Sequence, residues 1–174
     1  LWRDASKPAA AYPDRFDFDA FPHMNLTRAT RMLDNDEALS LPYERVVGLL
    51  GEAAKNACNY AAFRGSVRLL KWTRENNLVW SVHTCSNAAF NGHLPALQYL
   101  HENGCPWHSS TCSVAALKGH LLVLKYLHEN GCPWGSTTCS YAAQNKQWDC
   151  LQYAVDNKCP GWEIYAKRHA KHLR

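Results

Sequence analysis

Eight cysteines and nine histidines are the side chains of this 174-residue chain that could bind a metal, form disulfides or transfer protons. Four of the cysteines, Cys58, Cys85, Cys112 and Cys139, follow one another at intervals of 27 residues. Structural zinc sites use cysteines separated by two to four residues, and the sequence contains no such pair. We therefore predict that the chain binds no metal ion and no other cofactor.

The histidines occur in two repeated settings. His93 and His120 each follow a glycine, and His101 and His128 each begin a His-Glu-Asn-Gly run. Catalysis by histidine would need a partnered acid and a nucleophile, which the sequence does not place beside them, and a His-Glu-x-x-His motif is absent. We interpret these histidines as structural, and we predict that the protein is not an enzyme and has no small-molecule substrate.

The cysteine spacing is part of a longer internal repeat. Residues 85–111 and 112–138 are identical at 19 of 27 positions, and the same frame extends to 58–84 and to 139–165. A fixed period of 20 to 50 residues is typical of solenoids, in which each unit buries its apolar face against its neighbours.

Each unit predicts two short helices. Small side chains share one face of the first helix, residues 112–118 in the third unit, and Gly119 ends it. The second helix begins near Leu121 and ends at Asn130-Gly131, and Pro133 prevents its continuation. The sequence therefore predicts an all-α chain of helix, tight turn, helix and loop.

The run AALKGHLLVLKYLHENG, residues 115–131, resembles the ankyrin repeat, whose signature is A-A-x-x-G-H followed by V-x-x-L-L-x-x-G. An ankyrin unit has about 33 residues, and the residues missing here belong to the protruding hairpin finger, which Cys-Pro-Trp replaces. The units are similar to a short-repeat ankyrin subfamily with T-C-x-x-A-A-x-x-G-H-L and L-H-E-N-G-C-P-W. The resemblance covers residues 58–165 and implies an ankyrin-like helix-turn-helix solenoid of four short repeats.

This resemblance also gives roles to the repeated polar and aromatic residues. It implies that His93 and His120 hydrogen-bond around their turns. Trp80, Trp107 and Trp134 recur with the period, and we expect them to fill the space of the missing finger rather than to bind a ligand.

The regularly spaced cysteines lie beside Ala-Ala on the predicted buried face. Equivalent positions of stacked repeats are roughly 10 Å apart, whereas a disulfide needs Cα atoms within about 7 Å. We therefore predict that all eight cysteines are free thiols, which implies a reducing compartment. A Cys105–Cys112 bridge is the alternative.

Residues 1–26 predict an extended N-terminal arm without helical period. It is either a tail that lies on its own first repeat or a docking arm that becomes ordered on a partner, anchored by Phe16, Phe18 and Phe21. The chain starts at Leu1 rather than at Met, so we expect that it is processed or trimmed and that any targeting signal is out of view. The expected location is the cytosol or nucleus, or an organelle interior if a transit peptide precedes Leu1.

Two caps are predicted at the ends of the repeats, because a solenoid must shield the ends of its apolar stack. Residues 27–57 predict a degenerate N-terminal helical cap, and residues 166–174 predict a basic C-terminal capping helix. A run of 18 apolar residues is absent, so no transmembrane helix is expected.

The formal net charge of +4 is concentrated at the C-terminus, where the last nine residues carry four Lys or Arg and no acid. A protein that binds nucleic acid along its length would carry a basic stripe on its repeats. The tail is therefore either a solvated cap whose cations suit a helix C-terminus, or a contact for nucleic acid, an anionic lipid or an acidic partner.

Ankyrin proteins hold their partners on a concave surface lined by first-helix positions, which by resemblance are the third, sixth and seventh positions of each unit. Several of these positions differ between units while the frame around them repeats. The alternative is that the apolar ones pack between adjacent first helices. The predicted contact residues are Tyr60, Phe63, Arg64, Asn87, Phe90, Asn91, Val114, Leu117, Lys118 and Tyr141.

These expectations indicate a non-catalytic adaptor or scaffold that binds another protein on its first-helix face. One alternative is a structural subunit of a large, perhaps organellar, assembly, held by its arm and groove. A third is binding of nucleic acid or an anionic surface through the basic C-terminus, which is also where a membrane contact would fall. The sequence identifies neither the partner nor the oligomeric state.

Overall fold

The computed structural model describes residues 56–173, which lie in the unit Ala54–Arg174. Within this range the chain forms nine α-helices, one 3-10 helix and no strand, so the all-α prediction is confirmed there. The predicted arm, with Phe16, Phe18 and Phe21, lies outside the described residues, as does nearly all of the predicted cap at 27–57.

The helices are short and numbered here from the first described one. They are α1 (Ala57–Arg64), α2 (Val67–Glu75), α3 (Val82–Phe90), α4 (Leu94–Glu102), α5 (Ser109–Lys118), α6 (Leu121–Glu129), α7 (Ser136–Gln144), α8 (Trp148–Asp156) and α9 (Trp162–His169), followed by the 3-10 helix Ala170–His172.

Glycine and asparagine end the helices where the sequence predicted. Gly119 has φ +77° and is the left-handed C-cap of α5. Its N–H donates to the carbonyl of Ala116, which satisfies one of the last free carbonyls of the helix. Asn130 is the C-cap of α6, and Gly131 follows it. These local signals were sufficient because a positive φ is costly for any residue with a Cβ.

Helices α3 and α5 begin earlier than predicted, since α3 starts at Val82 rather than at Cys85 and α5 at Ser109 rather than at Cys112. The reason is a polar capping box: the His108 N–H donates to Thr111 Oγ1 (3.4 Å). Ser81 and Thr84 form the same arrangement at the start of α3. The apolar pattern alone does not include these capping residues, because Ser81, Thr84, His108 and Thr111 are polar.

The described helices pack in two rows. The odd helices α1, α3, α5 and α7 contact one another in chain order, as do the even helices α2, α4, α6 and α8, and each odd helix contacts the even helix that follows it. Ala88 and Ala115 are fully buried in the odd row, where small side chains allow close approach of the helices. Leu97 and Leu124 are fully buried on the even helices.

Buried hydroxyl groups join neighbouring odd helices. Thr84 Oγ1 donates to Asn59 Oδ1 (2.9 Å), Ser86 and Thr111 share a hydrogen bond of 3.2 Å, and Ser113 and Thr138 share one of 3.4 Å. Throughout residues 56–173, every buried side-chain nitrogen or oxygen has a hydrogen-bond partner. These polar pairs fix the register of one helix on the next, because a shifted register would leave a buried hydroxyl unpaired.

The C-terminal helix α9 contacts α7 and α8 and has no buried residue. It begins at Trp162, four residues before the predicted cap at 166–174. The ring of Trp148 on α8 stacks on that of His172, with centroids 4.1 Å apart, and so holds the following 3-10 turn against the even row.

Candidate partner-binding surface

The predicted contact residues lie on the four odd helices, with Asn91 as the C-cap of α3. Phe63, Phe90 and Leu117 are all half-buried and occupy the same position on α1, α3 and α5. Because these helices contact one another in order, the three side chains lie on consecutive elements of one row. The structure therefore places these three apolar predicted residues in partly exposed positions of equivalent helices.

Two of the predicted residues do not belong to the accessible surface. Val114 is only 1% exposed and Tyr60 only 8%, so both are packed side chains. The equivalent residues Asn87 and Tyr141 are half-buried. The third position of a unit lies one helical turn before the sixth, on a similar side of the helix, and sequence spacing could not show which of the two is covered.

Arg64 and Lys118 are exposed at the ends of α1 and α5. The Lys118 ammonium lies over the ring of Phe90, 4.3 Å from its centroid, which is a cation–π geometry. Asn91 has a different role, since its side-chain amide donates to the carbonyl of Asn87 (3.0 Å) and caps α3. The row of apolar side chains thus carries a cation directly beside its central aromatic ring.

The turn histidines fix the backbone beneath this row. His93 Nε2 donates to the carbonyl oxygen of Phe63, and His120 Nε2 donates to that of Phe90, both at 3.0 Å. Each bond therefore reaches the preceding unit rather than closing its own turn. A Cβ on Gly92 would lie 2.7 Å from the His120 ring, so the histidine needs glycine at that turn. The backbone carbonyls of Phe63 and Phe90 are therefore each held by a hydrogen bond from the next unit.

Burial lowers the pKa of His120, because the imidazolium is poorly solvated there. In the unfolded chain the imidazole keeps its ordinary pKa of about 6.5, so it binds a proton more readily than in the folded protein. The contribution of neutral His120 to stability is therefore complete above about pH 6.5 and is lost as the pH falls through the lower pKa of the folded state.

We expect the variant His120→Gln to lose less stability than the parent protein between pH 7.5 and pH 5.5, as measured by urea denaturation. Glutamine is suitable because Gln147 lies against Gly119 in the corresponding place of the next turn. His83→Gln is the control, since His83 is exposed. Equal losses in the parent and in His120→Gln would contradict this role of the imidazole.

Two aromatic clusters that the sequence did not predict join neighbouring even helices. His101 stacks on Trp107, with ring centroids 3.9 Å apart, and its Nδ1 hydrogen-bonds to the Tyr126 hydroxyl at 3.0 Å. His128, Trp134 and Tyr153 repeat the arrangement. The signal was present, because Tyr126 and Tyr153 recur with the same period as His and Trp. These residues therefore bind each other in the structure.

All eight cysteines are unpaired and buried, as the sequence predicted, and the alternative Cys105–Cys112 bridge is not formed. The thiol of Cys85 hydrogen-bonds with Cys105, and that of Cys112 with Cys132; these bonds, together with burial, raise the pKa of Cys85 and of Cys112. Burial also raises the pKa of Cys150 to about 12. Because the thiolate is the nucleophile, these three cysteines are protonated and inert at neutral pH.

The described residues contain no group of three or more His, Cys, Asp or Glu side chains placed to hold a metal ion. A cleft of about 430 Å³ lies between α6 and α8, lined by Trp148, Tyr153 and Asp156 among others. Polar groups that line the cleft contact one another. Gln152 Nε2 donates a hydrogen bond to Asp156 Oδ1 (2.7 Å), and the Lys125 ammonium lies 5.6 Å from the centre of the Tyr153 ring.

None of the helices in residues 56–173 has both the length and the apolar character that crossing a bilayer requires.

No protein-family model matches the chain, and no curated protein matches it. Any functional inference therefore depends on the residues themselves and on their geometry.

Proposed function

We propose that residues 58–165 form an ankyrin-like solenoid of four short repeats that binds another protein and has no catalytic activity. Support comes from the pairing of each odd helix with the following even helix and from the repetition of these pairs in chain order. The left-handed Gly119 and the His120 bond to the preceding turn add to it, since both occupy the Gly-His of the ankyrin signature.

One observation carries the binding function: Phe63, Phe90 and Leu117 stay partly exposed on consecutive helices whose other small apolar residues are buried. Side chains fixed by helix packing repeat from unit to unit, as Ala88 and Ala115 do. The half-buried position is instead Phe90 in one unit and Leu117 in the next. Partly exposed apolar side chains on consecutive helices favour a protein-binding site.

A fixed place in a larger assembly is the second form of this proposal. Lys167, Arg168 and Lys171 are all exposed at the C-terminal end and would add a contact with an acidic partner, an anionic lipid or nucleic acid. The unpaired state of all eight buried thiols supports a reducing compartment for either form.

The double variant Phe90→Ala with Leu117→Ala tests the binding surface. We expect it to abolish capture of the partner during affinity purification from the native source at moderate salt, because a central aromatic anchor is worth roughly 2 kcal/mol or more. The helical circular-dichroism spectrum should be unchanged, since both side chains are only half-buried.

Leu122→Ala with Val79→Ala is the matched control, because these apolar residues are 69% and 88% exposed and lie outside the odd helices. A collapse of the helical spectrum in the Phe90/Leu117 variant would mean that the two side chains are core. Retention of both folding and capture would place the partner on another surface and refute the proposal.

A further inference from the structure

Acidic residues are unevenly distributed between the two rows of helices. Every acidic residue between residues 56 and 161 lies on an even helix: Glu75, Glu102, Glu129, Asp149 and Asp156. Helices α1, α3, α5 and α7 and the turns that follow them carry no carboxylate, but they do carry Arg64, Lys118 and Lys146, all of them exposed. The next acid, Glu163, lies on α9, which contacts α7 at the C-terminal end of the row. The even helices have cations as well as acids, so only the odd row has a single sign of charge.

The helix dipole favours the cations, because Arg64, Lys118 and Lys146 stand at the C-terminal ends of α1, α5 and α7, but it does not explain the absence of acids. Asp and Glu stabilise the first turn of a helix, where the dipole is positive. Yet α1, α3, α5 and α7 have no acidic residue in their first turns. Glu75, Glu102 and Glu129 instead end α2, α4 and α6, where the dipole disfavours a carboxylate. The helix dipole therefore leaves the absence of acids from α1, α3, α5 and α7 unexplained.

We propose that the partner segment is a peptide that carries carboxylates next to apolar side chains and binds along the odd-helix surface, defined here as Phe63, Phe90 and Leu117 together with Arg64, Lys118 and Lys146. This inference rests on the proposed protein-binding function. A carboxylate on that surface meets only cations, whereas on the even row it would also meet the five acids. Electrostatic complementarity of this kind sets the choice of partner.

The position of Lys118 makes the recognition specific. Its ammonium lies 4.3 Å from the centre of the Phe90 ring, so cation and apolar anchor occupy one spot. An apolar side chain that packs against Phe90 and Leu117 brings a neighbouring carboxylate within reach of Lys118. The repeating position of the anchors on α1, α3 and α5 suits a segment whose acidic and apolar residues alternate.

A nucleic acid fits this surface less well. Proteins that bind DNA through its phosphates commonly make about 6–10 phosphate contacts, whereas the odd-helix surface offers three Lys or Arg over four units. The half-buried Phe63, Phe90 and Leu117 favour aliphatic and aromatic side chains of a peptide.

The test uses the full chain and three fluorescein-labelled synthetic peptides in which Phe alternates with Asp, with Ser or with Lys. Fluorescence anisotropy should show binding of the Phe/Asp peptide, weakened by salt, and markedly poorer binding of the other two. The double variant Lys118→Glu with Lys146→Glu should weaken binding of the Phe/Asp peptide by about tenfold or more, since like charges across an interface are strongly unfavourable. Lys71→Glu with Lys125→Glu, on α2 and α6, changes the net charge equally and should have little effect.

The proposal of an acidic partner would be overturned if both double variants weakened binding of the Phe/Asp peptide equally. It would also be overturned if the Phe/Ser peptide bound as tightly as the Phe/Asp peptide. Tighter binding of a labelled oligouridylate than of the Phe/Asp peptide would overturn it in favour of nucleic acid. A different result would contradict the proposed function itself: capture of the partner from the native source that survives Phe90→Ala with Leu117→Ala. If capture is lost with Phe90→Ala and Leu117→Ala but survives Lys118→Glu with Lys146→Glu, the partner binds at this surface but is not recognised through its carboxylates.

Discussion

Leu124→Ala is expected to lower the free energy of unfolding by about 2–5 kcal/mol, the usual cost of truncating a fully buried leucine. Leu124 lies in the middle of α6 with no exposed surface. Helix α6 contacts α5 as well as its neighbours α4 and α8 in the even row. The cavity would therefore open where several helices meet, and none of them can close it alone. Urea denaturation followed by circular dichroism measures the loss.

Leu122→Ala is the matched control on the same helix. It removes the same atoms from a side chain that is 69% exposed, and we expect a change within about 0.5 kcal/mol. Similar losses for the two variants would mean that the assigned inner face of α6 is wrong.

Ala115→Leu is expected to destabilise the protein by about 1–3 kcal/mol, because it forces extra carbon atoms into a closed seam. Ala115 is fully buried on α5, which packs against α3 on one side and α7 on the other. The buried bonds of Ser86 with Thr111 and of Ser113 with Thr138 hold these same helices in register. The odd row has little freedom to move apart, so we expect the thermal midpoint to fall.

Gln144→Leu provides the comparison, since it places leucine on the exposed side of α7. Its thermal midpoint should remain close to that of the parent protein. An unchanged midpoint for Ala115→Leu would show that the odd helices separate easily and that their small residues do not define the seam.

Features set within a few residues could be predicted from the sequence. The helix ends at Gly119 and Gly131 follow from backbone conformations that few residues adopt, and the all-α class follows from the spacing of small and apolar residues. The early start of α5 was missed because the capping side chain of Thr111 lies outside the apolar pattern. Contacts over 25 residues, such as His101 with Tyr126, depend on how one unit lies on the next.

The candidate surface was likewise predictable from the sequence only in part. The sequence marked Phe90 and Leu117 because they differ between otherwise repeated units, and the structure leaves both partly exposed. It also marked Val114, which is buried. Variation between repeats shows that a position is free to change, but it does not tell a solvent-exposed residue from one that packs differently in each unit. Only the neighbouring helices decide that.

The buried hydroxyl pairs bear on how such a chain can change its length during evolution. Ser86 and Thr111 both fall within residues 85–111, and Ser113 and Thr138 both fall within 112–138. A tandem duplication of either 27-residue segment would therefore copy both members of a junction. The enlarged protein would gain one complete helix-to-helix contact and no unpaired buried polar group, a defect that costs about 1–3 kcal/mol. Whole units can thus be gained or lost without leaving a hydroxyl of these junctions unpaired.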